Sequence, residues 1–234
     1  MKCLILLISF LSLIPIVSVS ARSEEALPDR KPAALTEMGL WKIYLFVGGG
    51  GSPVITSTIR SNGLLLGTVS TSGKVGFPGG LLGIEAEHHA PPAWLATSLL
   101  VQRSGIDVDG DTSNIMTFGA MGKVIRPYGD ALKFWVGAGA GLSTISLGGA
   151  TTVVANGYRS SIEPNGTGFM LMARAGATYR LTDNLNVGAF VGRTGFSTTL
   201  NGSVTNISTG ASAPLDYEFT AGWWDTGLRF GFDF

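Results

Sequence analysis

The stretch Leu132-Lys133-Phe134-Trp135-Val136-Gly137-Ala138-Gly139-Ala140-Gly141-Leu142-Ser143 decides the fold. Its even positions hold Leu132, Phe134, Val136, Ala138, Ala140 and Leu142, all apolar. Its odd positions hold Lys133, Trp135, Gly137, Gly139, Gly141 and Ser143, which apart from one indole are small or polar. A period of two places the two sets on opposite faces of a β-strand. Three glycines in seven residues argue against a helix, because glycine is among the poorest helix formers. One face therefore suits lipid and the other a crowded interior.

Outward from this segment, which runs on to Ile145, the same alternation recurs about eight times. The segments are Leu40–Gly49, Lys74–His89, Trp94–Arg103, Ser113–Ile125, Leu132–Ile145, Phe169–Leu181, Leu185–Thr199 and Phe219–Phe234. Between them lie short turns such as Arg126–Asp130 and Thr182–Asn184, and long polar stretches at Ser52–Ser72, Ser146–Thr167 and Leu200–Leu215. Short and long connections belong to opposite ends of an antiparallel array, as in transmembrane barrels with brief periplasmic turns and longer extracellular loops. An even strand count then leaves both termini on the periplasmic side. Ala90-Pro91-Pro92 ends the second segment, since proline cannot serve an interior ladder.

Composition points the same way. Charged residues make up 14% of the chain and mean hydropathy is +0.32. Beyond the N-terminus no apolar run reaches the ~20 residues of a membrane helix. In lipid, the remaining way to satisfy every backbone group is a closed barrel. The 16 basic and 16 acidic residues cancel, so nothing suggests nucleic acid as a partner.

The N-terminus reads as an export signal. Lys2 is followed by an apolar core from Leu4 to Leu13, and Val19-Ser20-Ala21 offers a small-residue cleavage site. The expected organisation is a signal peptide over residues 1–21, a periplasmic lead-in over 22–38 and an outer-membrane barrel over 39–234. The only cysteine, Cys3, leaves with the signal, so neither disulfides nor thiolate metal sites are expected. No cofactor is expected either.

Two stretches carry a family resemblance. The first runs from Gly168-Phe169 through Ala175-Gly176-Ala177-Thr178-Tyr179-Arg180-Leu181-Thr182-Asp183-Asn184-Leu185. The second is Asp225-Thr226-Gly227-Leu228-Arg229-Phe230-Gly231-Phe232-Asp233-Phe234. They resemble the strand–turn–strand text and the C-terminal insertion signal of the small bacterial outer-membrane barrels that include OmpX, OmpW and the OmpA membrane domain. The resemblance implies recognition of Gly227, Phe230, Phe232 and Phe234 by the barrel-assembly machinery, with outer-membrane lipid as the surrounding partner.

Strand parity selects the candidate lumen. Trp223, Asp225, Arg229 and Asp233 alternate with the terminal aromatics and so point inward. Glu85, Glu87, Arg174 and Thr178 do the same on other segments. Charges in a narrow lumen need partners, so Glu85, Glu87, Arg174, Asp225 and Arg229 form either an ion path or a salt-bridged plug. The plug is the favoured reading, because an eight-strand interior is barely wider than its side chains.

Three functional classes follow. The first is a structural or surface-interaction barrel whose loops meet extracellular ligands or surfaces. The second is a narrow passive channel for small solutes, apolar ones included if the OmpW resemblance extends that far. A lipid-modifying enzyme ranks last, because the histidines, His88 and His89, lie beside the short Pro91-Pro92 turn, away from the outer leaflet, without a His-x-Ser pair. Asp107, Asp109 and Asp111 read as a solvated loop rather than a cation site. The Gly48–Gly51 run reads as a strand bend rather than a phosphate cradle, since no Lys-Ser/Thr follows.

Overall fold

The computed structural model describes residues 41–51, 53–62, 64–72, 80–90, 94–108, 111–148 and 152–233. The signal segment, the lead-in, Pro91, Pro92, Asp109 and Phe234 lie outside these residues. In chain order the strands are β1 (Trp41–Gly50), β2 (Val54–Ser61), β3 (Leu64–Ser72), β4 (Leu81–Ala90), β5 (Leu95–Val108) and β6 (Asp111–Tyr128). They continue as β7 (Leu132–Ser146), β8 (Thr152–Ala155), β9 (Tyr158–Ile162), β10 (Asn165–Arg180), β11 (Leu185–Asn206) and β12 (Ser212–Asp233).

Eight of them form a ring in the order β1-β4-β5-β6-β7-β10-β11-β12. It closes because β12 pairs antiparallel with β11 on one side and β1 on the other. Every neighbouring pair in the ring is antiparallel. Closure removes the free edges that lipid cannot solvate.

The sequence pattern missed four strands. Ser52–Ser72 and Ser146–Thr167 read as polar loops, yet they contain the β2–β3 and β8–β9 hairpins. The residues explain it: Val54-Ile55-Thr56-Ser57-Thr58-Ile59 is rich in β-branched side chains, which favour strands whatever their polarity. The β8–β9 turn is Asn156-Gly157, both at positive φ (53° and 82°), the left-handed pair that matches the twist of a two-residue hairpin. Leu200–Leu215 likewise continues β11 and β12, each 22 residues long, to a turn where Asn206 Oδ1 accepts from Ser208 N at 3.0 Å.

Strands of this length overshoot a bilayer, which needs about 9–11 tilted residues. The excess forms a collar at the end of the long hairpins. There β2 pairs with the upper half of β12, from Val54↔Gly222 to Arg60↔Asp216. On the other side β9 pairs with the top of β11, from Ile162↔Gly202 to Tyr158↔Asn206.

Below the collar the two faces separate cleanly. Outward and exposed are Ile43, Leu45, Leu82, Ile84, Leu99, Phe118, Phe134, Val136, Leu142, Leu171, Leu228 and Phe230. Along β7 this belt runs from Phe134 to Leu142, roughly 20–25 Å once strand tilt is allowed for. Trp41, Trp94, Tyr128, Tyr179 and Phe232 stand exposed at its lower margin, where amphipathic rings suit the interface. Trp135 and Trp223 turn into the lumen instead, buried.

Glycines make room for the large inward side chains. A Cβ on Gly176 would lie 2.7 Å from Cζ2 of Trp135, and one on Gly227 2.7 Å from the ring of Phe190. Gly83 faces the ring of Phe46 and Gly231 that of Tyr44 in the same way.

The belt yields a test. Ala138→Arg, outward near its centre, should cost about 2–4 kcal/mol against urea in lipid vesicles. Thr199→Arg, in the collar, should stay within about 0.5 kcal/mol. Equal costs at both positions would contradict a membrane-embedded belt.

Candidate functional site

The lumen gathers the buried charges. β1, β4, β6 and β12 present Lys42, Glu85, Glu87, Lys123 and Arg229 to its lower half, and β7 adds Trp135. Each lies inward because its strand neighbours face lipid. Lys123 Nζ donates to Glu87 Oε2 at 2.6 Å and also to Glu85 Oε1. Arg229 Nη2 donates to Glu87 Oε2 at 3.3 Å and sits 3.8 Å from Glu85 Oε2. Two cations thus face two carboxylates, and His89 Nε2 bonds Glu87 Oε1 at 2.9 Å. Aromatic rings cover what hydrogen bonds leave: the Arg229 guanidinium lies 3.5 Å from the Tyr44 ring centroid and 4.7 Å from that of Trp135. Beside this group Lys42 Nζ donates to Asp233 Oδ2 and Asn186 Nδ2 to Asp233 Oδ1, both at 2.8 Å.

A second group bridges β10 and β12. Arg174 donates to Asp225 Oδ2 from Nε at 3.1 Å and from Nη2 at 2.7 Å, and Nη2 also reaches Gln102 Oε1 at 2.8 Å. Thr194 Oγ1 donates to the same carboxylate oxygen at 3.4 Å. Phe46 and Phe190 flank the guanidinium, at 5.3 and 5.1 Å. Space for this pair comes from Gly192, whose added Cβ would lie 2.5 Å from Arg174 Cγ.

An apolar cluster of buried side chains, including Ile55, Leu100, Ile145, Met170, Phe196, Leu215 and Trp223, carries the packing into the collar. In the lower half a cavity of about 10 Å³ remains, lined by residues including Lys42, Tyr44, Trp135 and Arg229. That is room for about one water molecule.

Of the residues singled out in the sequence, Glu85, Glu87 and Arg229 meet in one group and Arg174 and Asp225 in the other. Thr178 and Trp223 are buried in the lumen. Lys123, Gln102 and Lys42 were overlooked. The same parity could have found them, since Val124, Val101 and Ile43 beside them face lipid. Phe230 and Phe232 of the insertion signal face outward on β12, and Gly227 lies under Phe190. His88 lies beside Trp41, with ring centroids 4.9 Å apart and the planes tilted by 47°, and among the described residues neither histidine hydrogen-bonds a serine. Asp107 lies in β5 and Asp111 in β6, so the acidic loop is narrower than its sequence suggested. Gly48–Gly50 belong to β1, and the backbone N–H of Gly51 donates to Trp224 O at 2.8 Å, so the chain follows β12 onward towards β2.

No protein-family model matches the sequence, and no curated protein does. Solved structures do. The outer membrane protein OprG of Pseudomonas aeruginosa superposes with a TM-score of 0.51 at 15% identity, covering 85% of this chain and 97% of that one. Neisserial surface protein A matches at 0.38 with 16% identity, over 80% of this chain and 95% of its own. The N-terminal β-barrel domain of Pseudomonas aeruginosa OprF matches at 0.32 with 17% identity, over 80% and 99%. The closed antiparallel ring, its lipid-facing belt and the OprG likeness define the class: the chain is an outer-membrane β-barrel. Its fold is that of the small bacterial barrels with eight membrane strands.

Removing one member of a buried pair strands the other. Arg174→Met or Asp225→Leu alone should therefore cost about 3–5 kcal/mol, whereas Arg174→Met with Asp225→Leu should recover most of the loss. Unfolding midpoints of the two single variants and the double variant check this, and additive losses would contradict a coupled pair.

Proposed function

We propose that this protein is a non-catalytic outer-membrane scaffold whose lumen is closed and whose long hairpins form an extracellular contact surface. The observation that carries this reading is the pair of ion-bonded groups lying across the lumen, Lys123–Glu85–Glu87–Arg229 below and Arg174–Asp225–Gln102 above. Each charge there meets its counter-charge, and an eight-strand interior has little width beyond its side chains. An ion entering this lumen would have to break these buried pairs.

The hairpins supply the working surface. At their summit Val154, Tyr158 and Ile207 are exposed, and Ile207 N donates to Gly157 O at 2.9 Å, tying the β8–β9 turn to the β11–β12 turn. In this reading residues 1–21 direct export and 22–38 remain periplasmic. The outward aromatics of β12 serve the assembly machinery.

Two measurements test it. In planar bilayers the folded wild-type protein should give no steady openings, and Arg174→Ala and Asp225→Asn should introduce leak. Steady wild-type openings altered by either substitution would establish a narrow channel instead. For orientation, Thr209→Cys at the β11–β12 turn should react with an impermeant maleimide on intact cells, and Asp183→Cys at the β10–β11 turn should not. The reverse pattern would invert the barrel.

A further inference from the structure

Three outward rows of side chains cross β5, β6, β7 and β10 at the upper margin of the belt. In the lowest, Val101, Phe118, Leu142 and Phe169 are register partners, all exposed and apolar. The next row is Arg103, Met116, Thr144 and Thr167. The third is Asn114, Ser146 and Asn165, with the buried Gly105 as register partner of Asn114 on β5. Over only four residues along β6, β7 and β10 the wall passes from hydrocarbon to amide and hydroxyl.

The upper two rows are hollowed. A depression of about 380 Å³ opens on the outer wall, lined by Asn114, Met116, Thr144, Ser146, Asn165 and Thr167 together with Ile145 and Gly166. Arg103 stands at its edge, with Nε and Nη2 donating to Asn114 Oδ1 at 2.9 and 2.6 Å. The guanidinium is thus held in place while remaining exposed, with donors left over for a further acceptor.

We infer that this depression is a binding site for a phosphorylated, acylated sugar lipid of the outer leaflet. Each row matches one part of such a molecule. Acyl chains lie against Phe118, Leu142 and Phe169 and over Met116. A phosphate meets Arg103, whose planar fork suits phosphate oxygens. Sugar hydroxyls meet the amides and hydroxyls of Asn114, Ser146 and Asn165, which both donate and accept. The site is open to the side, where lipid is, and lies outside the lumen groups. A simple phospholipid would satisfy the lower two rows and leave the third without its partner.

The assignment rests on the orientation proposed above, with the long hairpins outside. Lipid retention in detergent does not depend on that orientation, so a reversed barrel and a missing lipid site give different results. The experiment is native mass spectrometry of the protein in mixed micelles. The probes are a diphosphorylated acylated glucosamine disaccharide, its phosphate-free form and phosphatidylglycerol. The diphosphorylated glycolipid should be retained at least ten-fold more tightly than either of the others. Arg103→Ala should remove that preference, and Asn114→Ala should weaken it. Arg193→Ala, which removes an outward arginine beside Trp224, should leave it intact. Heat-dependent gel mobility confirms that each variant is folded. Equal retention of the three lipids, phosphatidylglycerol held as tightly as the glycolipid, or a preference that survives Arg103→Ala would each overturn the inference.

Discussion

The width of the interior governs this molecule. Eight strands enclose a space that side chains just fill, so every large inward residue needs a small one opposite and every inward charge needs a counter-charge. Trp135 lies over Gly176, Phe190 over Gly227 and Arg174 over Gly192. These three glycines are therefore sockets for side chains of neighbouring strands. Lys123, Arg229, Glu85 and Glu87 obey the electrostatic form of the same rule. Relaxing the width would let water into the lumen, and neither the sockets nor the pairs would then be required.

Much of the ring was legible in the sequence, because lipid on one side and a crowded lumen on the other impose a period of two that one chain displays plainly. Ala138 and Gly139 on β7, or Leu228 and Arg229 on β12, assign their own faces. What parity could not supply was partnership across strands. Arg174 and Asp225 are 51 residues apart, and their contact depends on a register that no single segment encodes. The collar was missed for a different reason. In water both faces of a hairpin can be polar, so Thr56, Ser57 and Thr58 lose the alternation and read as loop, although β2 pairs residue by residue with β12. The outer-wall depression was likewise hidden, since Asn114, Ser146 and Asn165 become neighbours only through the pairing of three strands.

The lumen has two characters along its length. The lower half is ionic and aromatic, with cations stacked on Tyr44 and Trp135. The upper half is mostly apolar, built on methionines and on Leu100, Ile145 and Phe196, with the buried hydroxyls of Thr117 and Ser143 bonded to each other at 2.8 Å. Arg174 lies between them, paired to Asp225 on one side and flanked by Phe46 and Phe190. The ion pairs are thus confined to the floor and the middle of the lumen, and the roof is packed by apolar side chains and neutral hydroxyls. The collar above inherits the apolar inner face through Ile55, Leu215 and Tyr217.

Strand β12 carries three of the lumen charges, Asp225, Arg229 and Asp233. Without it, Glu85 and Glu87 would share Lys123 without Arg229, and Arg174 would lack Asp225. A barrel lacking this strand is therefore not merely open but electrically unfinished, with carboxylates and a guanidinium stranded at the heart of a low-dielectric wall. The strand that closes the ring is also the one that neutralises the lumen. A barrel without β12 carries a penalty out of proportion to the hydrogen bonds it lacks, because the interior loses its charge partners together with its wall.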